Sequence, residues 1–208
     1  LCRLDSFGID EGANWRARDI GFAGNLMTFT VEVGGRRFAE YRTPLAGLFN
    51  VRNCLAVIAT CELLGLDRKA VADSLVDFKS VKRRMEVRGA VRGVTVIDDF
   101  AHHPTAVRET LTAARAKYPG SRLVAVFEPR SYTAQIRAFQ NQFELALSEA
   151  DSIVVAGLFH PERYTADSAI SPAEIAGNLR DLGREAESIP SVDEIVAHLA
   201  RRLKRNDV

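Results

Sequence analysis

Residues 94–105 read Val94-Thr95-Val96-Ile97-Asp98-Asp99-Phe100-Ala101-His102-His103-Pro104-Thr105. A short apolar, β-branched run ends in two carboxylates, two imidazoles follow, and a proline opens a stretch of helical spacing. β-Branched residues favour strands and proline favours the first helical turn, so the stretch predicts strand, loop and helix in that order. In open α/β sheets ligands gather beyond the carboxyl ends of strands. Four ionisable groups at such a place point to a site.

Downstream of that stretch the pattern repeats. Spacing predicts a helix over 104–117, a strand over 122–127, a helix over 133–149 and a strand over 152–156. A helix over 172–182 behind the capping Ser171, a strand over 186–189 and a helix over 192–204 complete the series. Strands alternating with helices indicate an α/β domain with a mostly parallel sheet and helices on both faces. Such a domain commonly follows its last helix with another strand, so one further strand is expected after residue 208.

Upstream, residues 28–41 alternate apolar and polar around Gly34-Gly35, which predicts a β-hairpin, and 15–20 can supply another strand. Val51, Leu55, Ile58, Ala59 and Leu63 share a helical face over 51–64, ended by Gly65 as a cap. Asp67 reads as the N-cap of a short helix to about residue 76. The character changes at Val81, where Lys82-Arg83-Arg84 leads into a hairpin around Gly93. A boundary there divides the chain into 1–80 and 81–208.

Composition bounds the function classes. The chain has 208 residues, 47% apolar and 26% charged, with a net charge of +1. That balance gives no bulk electrostatic case for nucleic acid or an anionic membrane as partner. Cys2, Cys54 and Cys61 are odd in number and lack metal-like spacing, so they are read as apolar positions of a protein in a reducing compartment. No signal peptide is visible and no apolar run approaches the roughly 20 residues that span a bilayer. A cytoplasmic protein is expected. The first residue is Leu1 rather than Met and Val208 closely follows a helix, so a fragment is expected.

Three chemistries compete for Asp98–His103. The side chains can ligate divalent metals, as in a metal-dependent phosphoesterase. They can serve a nucleotide or a phosphorylated substrate, the carboxylates accepting from ribose hydroxyls and the helix N-terminus meeting negative charge. Or Asp99 caps the helix and the histidines pack on the sheet. A binuclear metal site needs several more ligands, and only His160 and His198 remain among the histidines. Asn50 and Asn53 can read an adenine edge, although Asn50 also suits an N-cap. Arg83 and Arg84 can clamp a phosphate or form a solvated basic face.

Three stations in this order resemble the Mur ligase family of ATP-dependent amide-forming ligases: Gly47-Leu48-Phe49-Asn50-Val51-Arg52-Asn53, Val81-Lys82-Arg83-Arg84-Met85-Glu86, and Asp98 to Thr105. The resemblance implies that 1–80 is the tail of a central ATPase domain and 81–208 a Rossmann-like C-terminal domain. It implies ATP contacts at Asn50, Asn53, Arg84, Asp98 and Asp99, and substrate contacts at His102, His103, Arg130 and Ser131. The family usually has His where this chain has Phe49. ATP and Mg²⁺ are the implied cofactors, the metal ligands being expected outside this chain. No Gly-Lys-Thr or Gly-Lys-Ser phosphate loop occurs in the sequence, so the missing N-terminal and central domains of the same polypeptide are implied partners and the fragment alone is expected to be inactive.

Within the family, the loop wording and Glu128-Pro129-Arg130-Ser131 are most similar to members that join the tripeptide L-Ala-γ-D-Glu-meso-diaminopimelate to UDP-N-acetylmuramate in peptidoglycan recycling. Members that add L-alanine to UDP-N-acetylmuramate typically read Asp-Asp-Tyr-Gly-His-His-Pro, then Gln-Pro-His-Arg-Tyr-Thr-Arg. Here an arginine stands at 130 and Ala134 replaces the final arginine. A peptide- or nucleotide-binding module without chemistry is the alternative from another class.

Overall fold

The structure is a computed structural model that describes residues 4–165 and 167–208, so Cys2 lies outside the described residues. The chain forms two compact units, Leu1–Lys82 and Arg83–Val208.

The first unit is a four-stranded sheet in sequential order: β1 (Phe7–Gly8), β2 (Trp15–Ala23), β3 (Leu26–Val33) and β4 (Arg36–Thr43). β1 runs parallel to β2, and the remaining pairs are antiparallel. Helices α1 (Leu48–Leu63) and α2 (Arg68–Asp77) pack on it. The pleat sends Trp15, Phe29 and Val31 to the face where α1 buries Val51, Leu55 and Ile58. Each such side chain contributes about 1.5–3 kcal/mol on burial. Cys54 is buried in this core, which pushes its thiol pKa up, while Cys61 is only partly covered.

Glycine sets both ends of α1. Gly47 holds φ +102° at the N-cap, a conformation that strains other residues. Beyond the last turn Gly65 sits at φ +71°; its amide donates to the Glu62 carbonyl and the Leu66 amide to the Cys61 carbonyl. This pairing is a Schellman cap. Asp67 then caps α2, accepting from the Ala70 amide at 2.8 Å.

The second unit begins with an antiparallel hairpin of β5 (Glu86–Val91) and β6 (Val94–Asp98), followed by α3 (Pro104–Lys117). A three-stranded parallel sheet follows, β7 (Val124–Phe127), β8 (Ser152–Ala156) and β9 (Glu185–Ile189), in that order. Helices α4 (Gln140–Leu147) and α5 (Pro172–Asp181) make the crossovers, and α6 (Val192–Arg202) follows β9. Along β8, Ile153 and Val155 pack with Phe143, Ile175 and Leu179 on one face. Val154 and Ala156 pack with Ile195 on the other, so helices cover both faces as expected. Ser171 and Ser191 cap α5 and α6, accepting from the amides of Glu174 and Glu194.

Several expectations are corrected. The helix expected over 133–149 is broken into 3₁₀ turns at Thr133–Gln135 and Arg137–Phe139 before α4. Ile136 between them is extended because it bridges Ala169, with the Ile170 amide donating to the Gln135 carbonyl and the Arg137 amide to the Ser168 carbonyl. Asn50 is not an N-cap but lies inside α1. Leu63 is 61% exposed rather than buried. The strand expected to start at 122 starts at Val124, with Arg122 bridged to Asp207. Among the described residues no helix is long and apolar enough to cross a membrane.

Candidate functional site

The loop after β6 is built around Asp99. One oxygen of its carboxylate accepts from the Met85 amide (2.8 Å), the other from the Ala101 amide (2.8 Å) and the Thr110 hydroxyl (3.2 Å). Asp99 thereby ties the loop to α3 and to the turn that enters β5. That turn is strained: Arg83 and Met85 hold φ of +59° and +48°. Positive φ at bulky residues persists only where surroundings enforce it, and such strain gathers at functional sites. The Arg83 amide donates to Glu86, and the Phe100 amide donates to the Arg83 carbonyl.

Between the two strained residues, Arg84 is exposed and, among the described residues, makes no hydrogen bond or ion pair. Arg83 is engaged instead. Its Nε lies 3.4 Å from the Asp98 carboxylate and its guanidinium 5.0 Å from the Phe100 ring centre. Phe100 meets His102 edge-on at 5.1 Å, and His102 Nδ1 lies 2.9 Å from the Phe100 carbonyl. His103, not Asp99, caps α3, its Nδ1 accepting from the Thr105 amide at 3.4 Å. His103 thus takes the capping part that one of the three competing readings of the sequence gave to Asp99.

The carboxyl end of β7 carries Glu128-Pro129-Arg130-Ser131. Arg130 is exposed and lies 4.6 Å over the Phe159 ring, with Glu128 4.0 Å away. Phe159 and His160 come from the carboxyl end of β8, where Gly157 sits so close to Pro190 that a Cβ would meet its carbonyl at 2.8 Å. Ser131 Oγ accepts from the Ala134 amide, and the buried Gln135 donates to the carbonyls of Arg130 and Ser131. Gln135 and the exposed aromatics Phe159 and Tyr132 escaped the sequence reading. A glutamine in a run read as helix gave no signal, and Phe159 reaches Arg130 only through the parallel order of β7 and β8.

Asn50 and Asn53 belong to the first unit. Asn50 donates from Nδ2 to the Ala46 carbonyl at 2.7 Å, so part of its hydrogen-bonding capacity fixes the turn before α1. Asn53 is exposed on α1. No group of three or more His, Cys, Asp or Glu side chains that could hold a metal ion occurs among the described residues.

Residues 83–208 match the family model described as Mur ligase, glutamate ligase domain. The UDP-N-acetylmuramate–L-alanine ligase of Desulfitobacterium hafniense is 34% identical over 203 residues, covering 98% of this chain and 45% of that protein. The crystal structure of the UDP-N-acetylmuramate-alanine ligase of Thermotoga maritima matches 97% of this chain and 42% of its own, with a TM-score of 0.80 and 26% identity. A murein peptide ligase from Psychrobacter arcticus matches 97% of this chain and 41% of its own, with a TM-score of 0.60 and 31% identity. The chain thus spans less than half the length of these relatives.

Proposed function

Since this chain belongs to the Mur ligase family, we propose that its parent is an ATP-dependent ligase that joins L-Ala-γ-D-Glu-meso-diaminopimelate to UDP-N-acetylmuramate. When bound, ATP supplies the phosphoryl group that activates the muramoyl carboxylate as an acyl phosphate; the peptide amine displaces phosphate and loses its proton, leaving amide, ADP and phosphate. The residues of this chain bind and orient. We assign Asn50 and Asn53 to adenine, Arg84 to phosphates and Asp98 to the ribose. The resemblance gives the ribose to Asp99 with Asp98 beside it, but Asp99 already accepts three hydrogen bonds, so we assign it instead the positioning of the strained turn that displays Arg84. Fixed donors and charges placed in advance lower the cost of forming an anionic transition state.

The observation that carries the peptide assignment is Arg130, an exposed cation at the carboxyl end of β7, stacked on Phe159. An arginine so placed suits the carboxylates of a peptide, which it can grip bidentately. His102 and Ser131 complete that wall in this reading, and His103 reaches it only as the cap of α3. A second reading, a UDP-N-acetylmuramate–L-alanine ligase, is favoured by the curated relatives at 31–36% identity. Release of ADP by the full-length protein with each amine in turn separates the two. The peptide reading expects turnover with the tripeptide, and turnover with L-alanine alone overturns it. The 208-residue chain by itself is proposed to be inactive, because it holds no Gly-Lys-Thr/Ser loop.

A further inference from the structure

His102 and His103 serve the loop after β6, His102 turning Nδ1 to the Phe100 carbonyl and His103 capping α3. His198 lies within α6, mostly covered, with Nε2 3.6 Å from Glu187. His160 stands apart from all three. It follows the carboxyl end of β8, the kind of place where ligands of open α/β sheets gather, and its ring is partly exposed.

The local backbone fixes that ring. His160 holds φ +56° and ψ +59°, a left-handed conformation uncommon outside glycine. The 3₁₀ turn Pro161–Arg163 follows, its Arg163 amide donating to the His160 carbonyl at 3.1 Å. This turn brings the Glu162 carboxylate back to His160 Nδ1, 2.9 Å away. A hydrogen bond from its own backbone amide, then the one from His160, outweighs burial and holds the Glu162 carboxyl below the usual carboxylate range. An ionised carboxylate only accepts, so Nδ1 donates and Nε2 of the neutral ring keeps its lone pair. Among the described residues Nε2 has no hydrogen-bond partner.

The neighbours set this lone pair beside the candidate substrate wall. The imidazole meets the Phe159 ring edge-on at 4.2 Å, and the Arg130 guanidinium lies 4.6 Å over the same ring. β7 and β8 are parallel, so their carboxyl ends bring Arg130 and His160 to one end of the sheet. The charged groups around the imidazole are Glu162 and Arg163 on its own turn, with Arg130 and Glu128 from the end of β7.

We propose that His160 is a catalytic base of the ligase reaction, taking a proton at Nε2 from the incoming ammonium, and that Glu162 is its positioning residue. The proposal rests on the ligase reading above and holds for either amine, because L-alanine and the tripeptide both present an α-ammonium. An ammonium has no lone pair with which to attack. Transfer of one N–H proton to Nε2 leaves an electron pair on nitrogen, and that pair forms the C–N bond to the acyl phosphate carbon. The C–O bond to phosphate breaks with its electrons, and the departing phosphate takes a second proton from nitrogen. Amide and inorganic phosphate result, and the imidazolium returns its proton to water. Glu162 offsets the charge that the ring acquires, the arrangement of a base oriented by a third group.

The test follows a single turnover of the full-length protein with ATP, UDP-N-acetylmuramate and the amine it uses, measuring ADP and amide separately after quenching. His160→Asn suits it, since asparagine tolerates the left-handed backbone. The expected result is ADP formed at the parent's rate and amide formed about 10²-fold slower or more. Glu162→Gln should slow amide about tenfold, again without slowing ADP. Amide formation by His160→Asn within about threefold of the parent overturns the proposal, being far short of what a lost base costs. ADP and amide slowed by the same factor also overturn it. Should His160→Asn fail to fold, Glu162→Gln decides by the same split. A parent that forms amide with neither amine overturns the ligase reading and this proposal together, whereas an active parent matched by His160→Asn overturns this proposal alone.

Discussion

Asp98 and Asp99 are adjacent, yet their surroundings separate their work. Asp98 is partly exposed beside Arg83, whereas Asp99 accepts from two backbone amides and a hydroxyl on three segments. Asp99→Asn in the full-length protein replaces one acceptor oxygen by a donor that faces N–H groups. Hydrogen bonds to a charged acceptor contribute about 1.5–3 kcal/mol, so we expect the KM for ATP to rise about tenfold or more. Amide exchange at Met85 and Ala101 should quicken with it. Asp98→Asn should raise the same KM while leaving both amides protected; loss of protection in both variants would contradict the division. Arg130→Ala should raise the KM for the tripeptide about tenfold without moving that for ATP, with Arg130→Lys restoring part of the loss. This division was not legible in the sequence, because the partner that decides it, the Met85 amide, lies 14 residues away across a hairpin.

Elements with local signals were legible, and those fixed by distant partners were not. Pro104, Ser171 and Gly65 marked helix ends that the structure keeps. The break at Ile136 is set by Ala169, which no local pattern announces. The segment ending the chain is a second such case. Burial pushes the Asp207 carboxyl pKa up, but the hydrogen bond from Arg122, then that from the Lys204 amide, outweighs it and holds the group below its ordinary value. A depressed carboxyl adds stability above its unfolded pKa of about 3.9, lost as the pH falls through the lower folded value. Asp207→Asn should therefore cost about 1–3 kcal/mol at neutral pH. The variant's melting temperature should fall less than the parent's between pH 7 and pH 3. An identical fall in both would remove Asp207 from the account.

At the scale of the whole molecule the chain is two units, Leu1–Lys82 and Arg83–Val208. Residues 76–84 between their cores are all exposed and include Lys79 and Lys82. Native trypsin digestion should cut there first and leave two resistant products divided near residue 82; early cuts inside α1 or α4 would contradict two separately packed cores. The α/β character was legible from alternating strand and helix spacing, whereas the site remains a proposal from ionisable groups beyond a strand end. Substrate choice is finer than either, and we propose that Arg130 takes part in it. One competition assay addresses it most directly. The full-length protein receives ATP, UDP-N-acetylmuramate and equal concentrations of L-alanine and the tripeptide, and its products are resolved by mass. The account predicts that the tripeptide adduct predominates; predominance of the L-alanine adduct would contradict it.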